Sequence, residues 1–286
     1  MQALKYARAS SVDEAIKLLS DGGPNAKVLA GGTDIIVLAR ERRRKVELFV
    51  DIKHIDEAMQ LTFDPGKGLI VGAATPLYKV YNDPNVVKHY TALAQSAHVI
   101  GGTAIQGRAS LGGNLANSGP AGDSITAQMC LGGVAVIAGP NGRREVPIED
   151  FCTGPGRNVL EANEFIVTLN FPAPVAHSAS AWERFIPRNE MDIAVANSGV
   201  YLEMDGNTVV KARIALGAVG PKVFVVPVDS LVGKPLTDET IAAAGAAAKA
   251  TATPIDDMRG SIKQRLHLSD ILTQRTIRAA AERARA

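Results

Sequence analysis

The spacing of apolar and polar positions in the first part of the chain predicts an α/β unit. Ser11-Val-Asp-Glu14 resembles a capping box, and the apolar positions that follow it predict a helix over 12–21. A short strand over 27–30 runs into a pair of glycines, a helix is predicted over 35–43, and the apolar run 48–52 predicts another strand. Strand, glycine turn, helix and strand in this order indicate an α/β arrangement.

The middle of the chain combines predicted strands with one helix and a tract rich in glycine. Apolar runs predict strands over 69–72, 134–138 and 165–169, and apolar residues at helical spacing predict a helix over 85–98. The tract from Gly101 to Gly122 is dense in glycine, and the sixteen residues 108–123 are expected to form a loop. A long loop inside a compact domain is unusual unless it has a function.

The last part of the chain reads as a separate unit. Pro172-Ala-Pro174 and the small polar residues after it predict a boundary near residue 175. The apolar pattern beyond it predicts three strands and two helices, over 181–186, 195–204, 209–218, 238–250 and 262–285.

Composition and charge argue against several classes of function. The chain has 286 residues and a formal net charge of only +2, which gives no electrostatic case for nucleic acid. Its two cysteines, Cys130 and Cys152, cannot build an iron–sulfur cluster or a structural zinc site, and buried reduced thiols in a cytoplasmic protein explain them. We expect no signal peptide and no membrane span. The five histidines lack metal-ligand spacing, and no Gly-x-Ser-x-Gly supports a hydrolase.

The first candidate binding element is Leu29-Ala-Gly-Gly-Thr-Asp34. Paired glycines after a strand allow a sharp turn and bring backbone N–H groups close to an anion, and a threonine hydroxyl adds a donor. A tight turn between strand and helix explains the same residues without a ligand. The dinucleotide fingerprint Gly-x-Gly-x-x-Gly and the P-loop pattern are both absent, so those two nucleotide-binding folds lack their central evidence.

The second candidate element runs from Arg108 to Asp123. It combines Gly112-Gly113 with the hydrogen-bonding side chains Ser110, Asn114 and Asp123. An amide and a carboxylate beside glycine-rich backbone suit a ribityl chain or ribose hydroxyls. A glycine-rich surface loop is the alternative interpretation. If the two elements meet in space, they could clamp one extended cofactor.

Short motifs follow one another along nearly the whole chain: Ala30–Asp34, Gly72–Thr75, Ser110–Asn114, Pro120–Asp123, Trp182–Phe185, Arg188–Ala194 and Asp257–Gly260. Together they resemble the FAD-binding medium subunit of the molybdenum hydroxylase family, of the xanthine dehydrogenase and carbon monoxide dehydrogenase type. The resemblance implies an α+β fold. This fold consists of a two-subdomain FAD-binding fold of the p-cresol methylhydroxylase type and a C-terminal domain with a three-stranded antiparallel sheet and helices.

The resemblance also implies the domain boundaries and the cofactor. FAD-binding subdomain 1 is expected over 1–56, FAD-binding subdomain 2 over 57–174, and a C-terminal flavoprotein domain of the carbon monoxide dehydrogenase type over 177–286. FAD is the expected cofactor, and no catalytic or metal-binding side chain is expected in this chain. The residues expected to contact FAD are Leu29, Ala30, Gly31, Gly32, Thr33, Asp34, Ile35, Thr75, Ile100, Ser110, Leu111, Gly112, Gly113, Asn114 and Asp123.

Individual roles within this set follow from the same resemblance. Residues 30–34 are expected to wrap the diphosphate, with Thr33 as a side-chain donor, and residues 110–114 to approach it from the other side. Asp123 is expected to reach a sugar hydroxyl. Ile100 stands where some relatives place an aromatic ring against the isoalloxazine, and an isoleucine keeps apolar cover without stacking.

The function implied by the resemblance is electron transfer inside a larger complex. An iron–sulfur small subunit and a molybdenum large subunit are the expected partners, in a dimer of heterotrimers in the cytoplasm, and they carry the clusters and the molybdenum cofactor. A stand-alone FAD-dependent oxidoreductase with its own substrate pocket is the alternative, and a non-catalytic scaffold is a third. The basic run from Arg40 to Lys45 is either a solvated helix end or a docking surface. The hydroxylated substrate and the final acceptor (quinone, oxygen or NAD) stay open.

Overall fold

A small parallel sheet leads into the first glycine tract. The computed structural model describes residues 4–286, and its first elements are β1 (Lys5–Arg8), α1 (Val12–Gly22), a 3-10 turn (Gly23–Asn25), β2 (Ala26–Leu29), α2 (Ile35–Arg40) and β3 (Leu48–Asp51). The strands pair in the order β1-β3-β2, and β3 is parallel to both neighbours. The predicted cap of α1 is present, because the Ser11 side chain accepts a hydrogen bond from the N–H of Glu14.

The second sheet has five antiparallel strands in the order β4-β5-β10-β6-β7. This part of the chain contains α3 (Asp56–Met59), β4 (Leu61–Asp64), β5 (Gly68–Gly72), α4 (Leu77–Asn82), α5 (Pro84–His89), α6 (Thr91–His98), α7 (Thr103–Gln106), α8 (Leu111–Asn117), α9 (Asp123–Cys130), β6 (Val134–Gly139), β7 (Gly142–Pro147), α10 (Ile148–Phe151), β8 (Cys152–Gly154), β9 (Arg157–Asn158) and β10 (Phe165–Phe171). Its helices and strands share one apolar core, in which Leu93, Leu111 and Ile125 are fully buried.

The helix predicted over 85–98 is wrong in one respect, because it is broken at Tyr90. This residue has φ −127° and ψ 46°, which lies outside the helical region. Its ring is buried against Phe171, and its hydroxyl donates to the carbonyl oxygen of Pro172 at 2.8 Å. The backbone of Tyr90 therefore leaves the helical conformation, and in this position its ring is buried and its hydroxyl has a hydrogen-bond acceptor.

The sixteen-residue loop expected over 108–123 is also wrong, because this segment contains α8 (Leu111–Asn117). Ser110 caps α8 by accepting from the N–H of Gly113 at 3.1 Å. A Cβ on Gly112 would lie only 2.6 Å from the carbonyl oxygen of Ala73. The glycine at 112 therefore allows a helix to pack tightly against neighbouring backbone.

The C-terminal part contains β11 (Ser178–Phe185), β12 (Ala196–Asp205), β13 (Thr208–Gly217), β14 (Phe224–Val226), α11 (Asp238–Thr251) and α12 (Ile262–Arg285). Its sheet is antiparallel and has four strands in the order β11-β12-β13-β14, so the expectation of three strands is wrong. The missed strand, β14, has only three residues, too few for an alternating pattern to be recognised. Among residues 4–286, no helix is long and apolar enough to cross a membrane.

Candidate functional site

A cleft of about 610 Å³ opens between the two glycine tracts. Its walls include the expected residues Ala30, Gly31, Gly32, Thr33, Asp34, Ile35, Ile100, Ser110, Gly112, Gly113 and Asn114. The other side of the cleft is formed by Asn158 and residues 160–166. A cavity of this size lies within the range of small-molecule and cofactor sites.

The two glycine tracts touch each other at the base of this cleft. The Nε atom of Arg108 donates to the carbonyl oxygen of Gly31 at 3.0 Å. A Cβ on Gly31 would lie 2.0 Å from the carbonyl oxygen of Arg108, so only glycine allows this contact. Gly32 has φ +79°, a conformation that glycine adopts without strain. The structure therefore brings together two motifs that are far apart in the sequence.

The first tract presents a run of free backbone donors. The N–H groups of residues 31–35 have no hydrogen-bond acceptor among residues 4–286, and all five residues line the cleft. The next N–H, that of Ile36, donates to the carbonyl oxygen of Gly32 at 3.1 Å and starts the α2 ladder. Consecutive unpaired N–H groups at a strand-to-helix turn form a concave site for an anion.

The second tract contributes an amide whose orientation is fixed from behind. The Ser124 hydroxyl donates to Asn114 Oδ1 at 2.7 Å, and Gln128 Nε2 donates to the Ser124 oxygen at 3.0 Å. Ser124 and Gln128 are fully buried on α9. With its oxygen already bonded, Asn114 keeps its NH₂ group as a donor toward the cleft. The sequence motif contains Asn114 but gives no sign of Ser124 or Gln128, because their role depends on the packing of α8 against α9.

Four of the expected residues do not line the cleft. Leu29 is buried at the end of β2, and Leu111 lies in the apolar core. The Thr75 hydroxyl donates to the carbonyl oxygen of Gln60 at 2.9 Å and is fully buried. Asp123 forms an ion pair with Arg184, with 2.5 Å between Oδ2 and Nη1. Three of these four positions support the walls of the cleft through packing or a buried hydrogen bond.

Asp123 is the most perturbed carboxylate beside the site. Burial raises its pKa to about 6, although the charge of Arg184 and a hydrogen bond from Asn197 act in the opposite direction. Asn197 Nδ2 lies 3.4 Å from Asp123 Oδ1. Both partners belong to the C-terminal sheet, so the carboxylate connects the second glycine tract to that sheet.

Two cationic residues on the cleft wall were not among the residues that the motifs predicted to contact FAD. Lys27 and Arg44 both line the cleft, and neither forms an ion pair with an acidic side chain within the part of the chain that the structure describes. Burial, and to a smaller extent the charge of Arg44, lowers the pKa of Lys27. Arg44 belongs to the basic run 40–45, so one member of that run faces the cleft.

The cysteines are not placed for redox chemistry or metal binding. Cys130 and Cys152 are both buried, and burial raises the pKa of Cys130 to about 12. A thiol with such a pKa is a poor nucleophile and metal ligand at neutral pH. Across residues 4–286, no group of three or more His, Cys, Asp or Glu side chains is arranged to hold a metal ion.

Two family profiles match the chain. The profile described as the FAD binding domain in molybdopterin dehydrogenase matches residues 2–174, and the CO dehydrogenase flavoprotein C-terminal domain matches residues 183–280. Among curated proteins, the putative xanthine dehydrogenase FAD-binding subunit of Escherichia coli (strain K12) is 32% identical, over 96% of this chain and 95% of that protein. The carbon monoxide dehydrogenase medium chain of Hydrogenophaga pseudoflava is 32% identical, over 96% of each chain.

Solved structures resemble the whole chain. Carbon monoxide dehydrogenase from Hydrogenophaga pseudoflava matches with a TM-score of 0.93 and 31% identity, over 98% of both chains. Quinoline 2-oxidoreductase from Pseudomonas putida 86 matches with a TM-score of 0.91 and 31% identity, over 99% of both chains.

Proposed function

This chain belongs to the family of FAD-binding subunits of xanthine dehydrogenase and carbon monoxide dehydrogenase type, the flavoprotein components of molybdenum hydroxylases, and from that premise we propose its role in electron flow. In this proposal the subunit takes electrons from iron–sulfur clusters on a partner chain and passes them to an external acceptor. The observation that carries it is a cleft lined by both glycine tracts, in which the N–H groups of residues 31–35 have no acceptor among residues 4–286.

The residues of the cleft fit FAD chemically. The cofactor's diphosphate needs several donors on a concave surface, and residues 31–35 supply backbone N–H groups there. Asn114, held by Ser124, offers an amide donor to the cofactor's hydroxyl groups. Ile100 gives apolar cover to the ring. We propose the fifteen residues of the sequence motifs as the FAD site, with Leu29, Thr75 and Leu111 acting as buried supports.

The protein's part in the reaction is to bind, orient and shield. When bound, FAD supplies a ring system that accepts and releases electrons. The glycines at 31 and 112 allow the two tracts to approach each other closely, which fixes the width of the cleft. The wall formed by Asn158 and residues 160–166 bounds the far side of the cleft. In this proposal the side chains of the cleft transfer no proton.

We propose an iron–sulfur small subunit and a molybdenum large subunit as partners, in a cytoplasmic dimer of heterotrimers. The chain has two cysteines, both buried, whereas an iron–sulfur cluster needs about four ligands, which supports clusters on another chain. The names of the relatives, "FAD-binding subunit" and "medium chain", support an assembly of several chains. We also propose the division into units over 1–56, 57–174 and 177–286, since each range has its own sheet among its described residues.

The test compares the chain alone with the chain in its complex. The purified chain should bind FAD, and acid precipitation should release the yellow colour, because the cleft has no His or Tyr for a covalent tether. Alone, it should not reduce a dye when an aldehyde or N-heterocycle is added. Coexpressed with both partner subunits, it should. Robust turnover by the single chain would contradict the subunit role and favour a stand-alone oxidoreductase.

A further inference from the structure

Arg184 on β11 is a buried cation that joins three segments. Its side chain is only 7% exposed. Nη1 lies 2.5 Å from Asp123 Oδ2, and Nη2 donates to the carbonyl oxygen of Val99 at 3.0 Å. Nη1 also lies 3.5 Å from the carbonyl oxygen of Asp192, in the exposed segment after β11. The planar guanidinium allows one side chain to bond a carboxylate and a main-chain carbonyl in fixed directions.

The main-chain contact lies directly beside the cleft. Val99 ends α6, and the next residue, Ile100, is the apolar residue of the cleft wall. The chain then turns at Gly101, which has φ +61°. Gly102 follows, and a Cβ there would lie 3.4 Å from the sulfur of Met191. The hydrogen bond from Arg184 therefore fixes Val99, the residue directly before Ile100.

The carboxylate partner explains why the arginine stays in place. Asp123 starts α9 at the end of the second glycine tract, and among residues 4–286 its buried carboxylate has two side-chain partners, Arg184 and Asn197. A buried arginine without a partner carries a large desolvation cost, so the pair is maintained as a unit. The C-terminal sheet thus connects to both the Ile100 segment and the end of the second tract.

We propose that Arg184 is a positioning residue for the flavin: by bonding both Asp123 and the Val99 carbonyl, it holds Ile100 in its place on the cleft wall. This inference rests on the proposed FAD site. The C-terminal sheet does not line the cleft, and Arg184 connects it directly to the segment that carries Ile100. Its effect should appear in the electronic environment and affinity of FAD more than in the overall fold.

The test uses Arg184→Lys in the full-length chain, with Arg275→Lys as the matched control. A lysine keeps the charge but has one nitrogen, so it cannot bond Asp123 and the Val99 carbonyl in the same way. Arg275 pairs with Glu183, the neighbour of Arg184, at 3.2 Å on the exposed surface. The readouts are the visible absorption bands of bound FAD, the FAD dissociation constant, and the melting temperature of the FAD-free chain.

For Arg184→Lys we expect displaced flavin absorption bands and a dissociation constant about tenfold higher, as for one weakened charged hydrogen bond. Arg275→Lys should match the wild type. Adding Ile100→Ala to the lysine variant should displace the flavin absorption bands little further, because both substitutions act on the part of the cleft wall formed by Ile100. Wild-type bands and affinity in Arg184→Lys would overturn the proposal.

A second variant covers the case in which the lysine variant does not fold. Arg184→Gln keeps an N–H donor for the Val99 carbonyl and removes the charge. The absorption bands of its bound FAD should therefore stay close to those of the wild type, whereas its affinity for FAD should fall. If both variants lose secondary structure by circular dichroism, Arg184 is a structural residue and the proposal is wrong. If the wild-type chain itself binds no FAD, the proposed function fails, which is a separate result.

Discussion

Replacing single glycines of the second tract should separate the residues that shape the cleft from those that touch the cofactor. Gly112 and Gly113 are neighbours in α8, yet their surroundings differ. A Cβ on Gly112 would lie 2.6 Å from both Cβ and the carbonyl oxygen of Ala73. A Cβ on Gly113 would meet only Ser110 Oγ, at 3.1 Å, with no other heavy atom within 4 Å. Gly113 lines the cleft, so its free side faces the place of the cofactor.

The expected magnitudes follow from these distances. In Gly112→Ala the methyl group cannot be accommodated without moving backbone, and overpacking of this kind destabilises by about 1–3 kcal/mol. In Gly113→Ala the gain in helix propensity is about 0.5–1 kcal/mol, which the shift of Ser110 Oγ offsets, so the free energy of unfolding stays nearly unchanged. A methyl group in the cleft lengthens the bonds to a charged diphosphate. Losing one such bond costs about 1.5–3 kcal/mol, or roughly tenfold to 150-fold in affinity.

The assay has two measurements on each purified variant. Melting of the FAD-free chain reports stability, and quenching of FAD fluorescence during titration reports affinity. Gly107→Ala serves as the control, because Gly107 lies outside the cleft and its nearest neighbour to an added Cβ is 3.8 Å away. Wild-type FAD affinity in Gly113→Ala, or a wild-type melting temperature in Gly112→Ala, would refute this account of the tract.

Three further predictions address other parts of the site. The double variant Lys27→Ala/Arg44→Ala should weaken FAD binding about tenfold and reduce its salt dependence, because two cations on the cleft wall, without an acidic partner among the described residues, attract the diphosphate. Fluorescence titration at low and high salt tests this, with Lys17→Ala as the control. An unchanged salt dependence of FAD binding would contradict the prediction. Ser124→Ala should raise the FAD dissociation constant severalfold, because it removes the 2.7 Å hydrogen bond that orients Asn114. The circular dichroism spectrum should not change. In a chain that already carries Asn114→Ala, the same substitution should have no further effect on FAD affinity. Arg184→Met should destabilise the chain more at about pH 8 than at about pH 5. With Arg184 present, burial raises the pKa of Asp123 to about 6, so at about pH 5 the carboxyl is largely protonated and gains little from the arginine charge. Removing Arg184 raises this pKa further, so at about pH 8 the variant must bury an unpaired carboxylate or take up a proton, at a cost of up to about 3–5 kcal/mol. Urea unfolding at both pH values measures the difference, and equal losses would contradict the assignment.

Local patterns predicted the longer helices and strands, because those elements carry strong signals, and missed about half of the elements, including α8 and α9 beside the cleft. The helix over 12–21, the C-terminal helices and the long strands of the last sheet all appear near their predicted positions. The elements that escaped prediction depend on tertiary contacts. Tyr90 breaks a helix to bury its ring, and β14 is defined by pairing with Ile214–Leu216. The loop expected over 108–123 is wrong because, in a sequence, glycines that permit close helix packing cannot be distinguished from glycines of a loop.

The candidate site divides in the same way. Motifs predicted residues 30–35 and 110–114, and all of them except Leu111 line the cleft. The wall formed by Asn158 and residues 160–166 has no recognisable pattern, because many sequences could form a segment of suitable shape. Ser124 and Gln128 lie outside every motif, and Arg184 lies in the Trp182–Phe185 motif without a predicted role, for another reason. Each acts on a neighbour that lies far away in sequence or on another helix, and single-sequence patterns do not record such pairs.

Helix α9 is the element through which the C-terminal sheet becomes part of the FAD site. One end of it carries Asp123, and its buried face supplies Ser124, which orients Asn114. Thr126 on the same helix donates to Asn197 Oδ1 at 2.5 Å. A Cβ on Gly199 of β12 would lie 3.0 Å from the Thr126 carbonyl oxygen, so a glycine there lets the sheet approach the helix closely. The sheet therefore fixes α9, and α9 fixes the second glycine tract. The C-terminal unit consequently belongs to the machinery that shapes the cleft, even though none of its side chains lines that cleft.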